Sequence, residues 1–166
     1  LNNNTYSLYK RGWTGINIDL DFNSIDMFNF FRKKDLNIVA AVSDKIEIKD
    51  LYFFHNRSAV NTLSKNAGTK AKEIKSIKTN TINNIIENSA YKKKEIDFIS
   101  IDVEGHELNV LKGITRLINN NNCFIQIEVF KNNFIEVDDF LRANNFSKVY
   151  SVLNRSNYFY SNFSNL

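Results

Sequence analysis

Asp97-Phe98-Ile99-Ser100-Ile101-Asp102-Val103-Glu104-Gly105-His106-Glu107, running on into Leu108-Asn109-Val110-Leu111-Lys112-Gly113-Ile114, is the stretch from which the fold of this 166-residue chain is read. Phe98, Ile99, Ile101 and Val103 form a short apolar run between Lys92-Lys93-Lys94 and Gly105, the pattern of a covered strand. Leu108, Leu111 and Ile114 then recur at helical spacing, with Val110 and Leu117 widening the stripe. At the join, Asp102, Glu104, His106 and Glu107 bring four ionisable groups into six residues. Ligands of open α/β sheets bind beyond the carboxyl ends of the strands, so this turn is a candidate site. Glu107 also suits the first turn of a helix, where an acid favours the dipole by ~0.3–1 kcal/mol. Asp102 ends an apolar strand, where burying a carboxylate without a partner is costly.

Working outward from this unit, residues 5–11 read as a short helix with Tyr6 and Tyr9 inward, ended by Gly12. Residues 13–20 read as a strand with Ile16, Ile18 and Leu20 on one face, finishing in Asp19 and Asp21. Asn23 or Ser24 is the expected cap of the next helix, whose wide apolar face comprises Ile25, Met27, Phe28, Phe30 and Phe31. Residues 36–42 form a continuous apolar run, as in a strand covered on both faces, and end in Ser43-Asp44. Strand, helix and strand at this spacing make a right-handed βαβ unit of a parallel sheet. An acid at the tip of the first strand can accept two hydrogen bonds from a ribose diol, and Asp19 stands there. A further strand over residues 46–54, antiparallel at the edge, and a long polar loop over 55–69 follow. Ile74 and Ile77 suggest a short strand, and Thr79 or Asn80 a cap for a helix containing Ile82, Ile85 and Ile86. Beyond the central helix come a turn at 119–122, a buried strand over 123–130 with Glu128 near its end, a helix over 134–144, and a hairpin over 149–163.

The composition fits one domain over residues 1–166, long enough to bury a core without covalent staples. Cys123 is the only cysteine, which excludes an internal disulfide and points to a reducing, cytoplasmic compartment. No run of about 18 apolar residues is present to span a membrane, and Leu1-Asn2-Asn3-Asn4 has neither the basic start nor the apolar core of a signal peptide. The net charge is +4, with lysines concentrated at 70–78 and 92–94. No aromatic residues interleave them as stacking platforms, so nucleic acid is not the expected partner. Oligomeric state is not legible in the sequence.

The string Asp-Phe-Ile-Ser-Ile-Asp-Val-Glu-Gly-His-Glu-Leu-Asn-Val-Leu-Lys-Gly at 97–113 resembles the signature block of the FkbM-type methyltransferases. The resemblance extends over Asn3-Asn4-Thr5-Tyr6 through Ile16-Asn17-Ile18-Asp19, over Ala41-Val42-Ser43-Asp44, and over Ile125-Gln126-Ile127-Glu128. It implies an α/β, Rossmann-like three-layer sandwich, the class I methyltransferase sheet with strand order 3-2-1-4-5-7-6. It also implies S-adenosylmethionine as cofactor and methylation of a hydroxyl on a sugar, glycan or secondary metabolite. By the same resemblance Asp19, with Ser43, Asp44 and Thr5, would contact the cofactor. Asp102, Glu104 or His106 would serve as the base, and no metal is expected. The family's glycine-rich first strand should precede Asn3, and none of the five glycines here forms a Gly-x-Gly. The expectation is therefore an N-terminally truncated domain, with a slot or a direct pairing where that strand belongs, and weak or absent cofactor binding. Two rivals remain. A nicotinamide-dependent oxidoreductase would also use Asp19, but no Tyr-x-x-x-Lys pair sits where it could serve. A non-catalytic domain of the same fold is the stronger one.

Overall fold

Leu111, Ile114, Ile118, Ile125, Ile127 and Leu141 are wholly inaccessible to solvent, and the secondary structure is arranged to seal them. The computed structural model of the chain describes residues 4–55, 61–151 and 156–163. The helices are α1 (Tyr6–Lys10), α2 (Phe22–Phe31), α3 (Ile82–Glu87), α4 (Glu107–Gly113), α5 (Thr115–Asn119) and α6 (Phe134–Ala143). The strands are β1 (Ile16–Asp19), β2 (Leu36–Val39), β3 (Ala41–Val42), β4 (Ile48–Phe53), β5 (Glu73–Asn80), β6 (Phe98–Ile101), β7 (Phe124–Glu128), β8 (Ser147–Ser151) and β9 (Asn157–Ser161). Among the described residues no helix is long and apolar enough to cross a membrane.

The fold is mixed α/β, but the strands of the described residues divide into three sheets: β1-β2, β3-β5-β4 and β6-β7-β9-β8. β1 and β2 run parallel, Ile16 opposite Leu36 and Asp19 opposite Val39. β6 and β7 are parallel, and β9 lies antiparallel between β7 and β8. The last two strands are the expected hairpin, whose loop at 152–155 falls outside the described residues. No ladder joins β1 to β6 among the described residues, so the expected seven-strand order does not appear as one sheet. The tips of the two strands nevertheless lie near enough for the Asp19 charge at the end of β1 to raise the Asp102 carboxyl just past β6.

Several local expectations are corrected. The run 36–42 is broken at Ala40 because β2 pairs with β1, whereas β3 pairs with β5; Val39 is exposed, so the strand is not covered on both faces. The cap of α2 is Asp21, whose carboxylate accepts from the Asn23 N–H at 3.2 Å, not Asn23 or Ser24. The cap of α3 is Thr81, accepting from Asn84 N–H at 3.1 Å, because β5 continues through Asn80. The wide apolar face of α2 points mostly outward. Ile25 alone in that helix is buried, and Phe22, Met27, Phe30 and Phe31 are exposed.

The βα unit containing α4 behaves as its spacing requires. Val110, Leu111, Ile114 and Ile118 are buried along one stripe that crosses the break between α4 and α5 and lies against Ile101, Ile125 and Ile127. Burying such side chains contributes ~1.5–3 kcal/mol each, so this packing fixes where the turn 102–106 sits. Gly113 closes the arrangement: a Cβ there would overlap the Ser43 carbonyl oxygen. That close approach holds the end of α4 against the segment after β3.

Candidate active site

The ends of β1, β6 and β7 all face the same region and all carry acids: Asp19, Asp102 with Glu104, and Glu128. Asp19 Oδ1 accepts the Asp21 N–H at 2.8 Å, which turns the chain into α2. Glu128 Oε2 accepts from Asn157 Nδ2 at 3.1 Å. Among the described residues none of these carboxylates, nor that of Glu107, forms an ion pair.

Unneutralised and crowded, Asp19, Asp102, Glu104 and Glu107 hold protons more tightly than usual. Partial burial raises the Asp19 carboxyl, with the Asp21 charge adding to it. Asp102 is exposed rather than buried, contrary to the expectation for an acid ending an apolar strand, yet desolvation by the protein around it raises its carboxyl too, reinforced by Glu128 and Asp19. Glu104 is raised by burial and then by Asp102, Glu128 and Glu107. Glu107 is only 2 % exposed. Its Oε1 accepts the Gly105 N–H at 2.6 Å, and its Oε2 has no hydrogen-bond partner. Burial lifts its carboxyl too. Crowded carboxylates with raised proton affinity are the usual property of groups that exchange protons with a substrate. Among the described residues no three His, Cys, Asp or Glu side chains meet in a way that could hold a metal ion.

The turn presenting these groups is conformationally unusual. Glu104 has φ 53° and Gly105 φ 93°, two successive left-handed residues. Gly105 tolerates this; for Glu104 it costs energy, which the surroundings must offset. Thr62 Oγ1 donates to the Glu104 carbonyl at 2.7 Å and Asn133 Nδ2 donates to the Gly105 carbonyl at 3.4 Å. Thr62, Asn133 and Glu128 therefore support the site, although sequence reading assigned them no role. Glu128 carried a signal, as an acid at a strand end. Thr62 and Asn133 carried none, because only the tertiary fold brings them to the turn.

Ser43, Asp44 and His106 form a second, adjacent group. Ser43 Oγ donates to Asp44 Oδ1 at 2.8 Å and lies 2.9 Å from His106 Nε2. The hydroxyl proton is committed to Asp44, so Nε2 must carry the proton of the neutral ring and donate to Ser43. Burial, then Lys49, lowers the His106 pKa to about 4. Asp44 is partly buried, yet hydrogen bonds from Ser43 and Asn109, and the nearby Lys49, hold its carboxyl below the usual range. His106 thus faces Ser43 rather than the strand-tip carboxylates.

Of the residues expected in the site, Asp19, Asp102 and Glu104 come together, and Ser43, Asp44 and His106 form the neighbouring group. Thr5 does not join either. Its Oγ1 accepts from Arg32 Nη1 at 2.6 Å, and Arg32 is paired with Asp35 at the other end of β1.

Comparison with known proteins agrees with this architecture. A family model described as the methyltransferase FkbM domain matches residues 2–148. Among solved structures, the crystal structure of methyltransferase FkbM from Methylobacillus flagellatus KT is similar, with a TM-score of 0.52 and 14% identity. The match covers 88% of this chain and 36% of that one, so the chain spans about a third of that protein's length. At this identity the likeness concerns the fold. No curated protein matches the chain. With the family model running through β1, the carboxylate turn and β7, the chain belongs to the methyltransferase FkbM domain family.

Proposed function

We propose that the chain is the methyltransferase domain of an S-adenosylmethionine-dependent O-methyltransferase acting on a hydroxyl of a sugar, glycan or secondary metabolite. The observation that carries this reading is the convergence of Asp19, Asp102, Glu104 and Glu128 at neighbouring strand ends, with proton affinities raised in the first three. The donor set fits the cofactor: Asp19 offers acceptors for a ribose diol, Ser43 and Asp44 a polar edge for the adenine, and the acids a negative region for a sulfonium. S-adenosylmethionine, when bound, supplies an electrophilic methyl group. The chain's own residues do the rest. Asp102 or Glu104 accepts the proton of the acceptor hydroxyl, and its raised proton affinity brings it nearer the range in which a carboxylate works as a general base. His106, neutral and donating to Ser43, positions the cofactor side and does not take the proton at Nε2.

A second reading, a non-catalytic domain of the same fold, draws on the lack of a ladder between β1 and β6 among the described residues. Turnover separates the two. On a hydroxyl acceptor identified by screening sugars and glycans, Asp102→Asn or Glu104→Gln is expected to lower kcat at least ~10²-fold while changing cofactor KM little. Wild-type kcat in both variants would remove the carboxylates from the chemistry. Absence of any methyl transfer by the wild type would favour the second reading.

A further inference from the structure

The end of the molecule away from the carboxylates carries the opposite chemistry. Three contacts fix which residues lie there. Gly15 N–H donates to Asp35 Oδ1 at 3.0 Å, Leu36 N–H donates to the Gly15 carbonyl at 3.0 Å, and Arg32 links Asp35 to Thr5. Arg32 also lies 5.2 Å from the Tyr9 ring centroid, so α1, the turn leading into β1 and the last turn of α2 lie together at one end of the protein. Phe30 and Phe31 are exposed there, at 68% and 43%. Around them stand Lys10, Arg11, Lys33 and Lys34, all exposed. None of these four cations forms an ion pair among the described residues. Lys33 Nζ instead lies 5.8 Å from the Phe30 ring centroid, and Lys10 Nζ 5.4 Å from that of Tyr6.

Water is a poor environment for this face. Helical spacing puts Met27 on the same outward arc of α2 as Phe30 and Phe31, opposite the buried Ile25. A strand added between β1 and β6 would not cover that arc, because it lies on the far side of α2 from the strands. Asp26 is the one acid on the arc. Exposed aromatic side chains set among unpaired lysines and arginine match an interface where apolar groups enter the acyl boundary and cations meet anionic headgroups. Pairing two copies through the same patch would instead set Lys33 and Lys34 against like charges.

We propose that this basic, aromatic end docks the protein on an anionic membrane surface, with the carboxylate site held at the opposite end, facing away from the bilayer. Co-sedimentation with phosphatidylcholine vesicles, with and without phosphatidylserine, tests it. The protein is expected to bind the anionic vesicles only, and to be released by salt at about 1 M, where the Debye length falls to ~3 Å. Lys33→Gln with Lys34→Gln should weaken vesicle binding by about thirtyfold, as expected for two cations at a charged surface. Phe30→Ser with Phe31→Ser should weaken it as well, with an unchanged melting temperature. If the aromatic variant fails to fold, the lysine pair decides. Failure to bind anionic vesicles, or binding that the lysine changes leave intact, would overturn the proposal. Phe30-dependent dimerisation in the ultracentrifuge, without vesicle binding, would assign the face to a second copy and equally overturn it.

Discussion

At the residue scale, two sets of titratable groups respond to pH in opposite directions. Folding lowers the pKa of His106 to about 4 from its ordinary 6.5. Between those values the unfolded chain binds a proton that the folded chain refuses, so this contribution falls as the pH drops, by up to ~3 kcal/mol. Asp19, Asp102, Glu104 and Glu107 are raised on folding. There the folded state takes the proton first, which favours it as the pH falls toward the raised values. Urea unfolding of wild type and His106→Gln from pH 7 to 4 isolates the histidine. The wild type is expected to lose stability relative to the variant as the pH falls through this window; a constant difference would show that His106 is not held neutral by the fold. The residue types of the site were legible because acids at strand ends are conspicuous: Asp19 and the 102–107 turn stand out from apolar runs. Their pairing was not. Nothing in the order of residues says that Ser43 meets His106, 63 positions on.

At the scale of elements, α4 is the device that joins the two halves of the site. Its start carries Glu107 and its end is pressed against the Ser43 carbonyl by the lack of a side chain at Gly113. Gly113→Ala should destabilise the fold by ~1–3 kcal/mol through overpacking, and should shift the Ser43–His106 contact. Chemical denaturation, with the His106 ring resonances followed by NMR, checks both; unchanged stability and shifts would mean that the approach is not tight. The helix was readable from Leu108, Leu111 and Ile114 because one face of it is apolar and buried. The same rule misread α2. Its aromatic residues cluster at helical spacing, but periodicity identifies an apolar arc without saying whether protein lies beneath it. The cap assignments slipped by one to three residues for a related reason: Asp21 and Thr81 compete locally with Asn23, Ser24, Thr79 and Asn80, and strand pairing decides among them.

At the scale of the whole molecule, the discontinuity between β1 and β6 dominates. Among the described residues β7 is paired on both sides, whereas β1 and β6 each have a ladder on one side only. Alternate amides of β1 and β6 should therefore exchange with solvent much faster than those of β7 in native-state hydrogen exchange; equal protection would mean that the edges are paired. The mixed α/β character was legible from alternating apolar runs and helical stripes. The division into three sheets was not, since it depends on which strand edges meet, and β3 leaves β2 at a single residue, Ala40. The site survives the division, because the strand ends still converge. Its central claim is that Asp19 grips the cofactor, and calorimetric titration of S-adenosylmethionine into the protein and its Asp19→Ala variant tests that claim most directly. Loss of charged hydrogen bonds of ~1.5–3 kcal/mol predicts binding weakened about ten- to a hundredfold in the variant. Equal affinity in the two proteins would contradict the account.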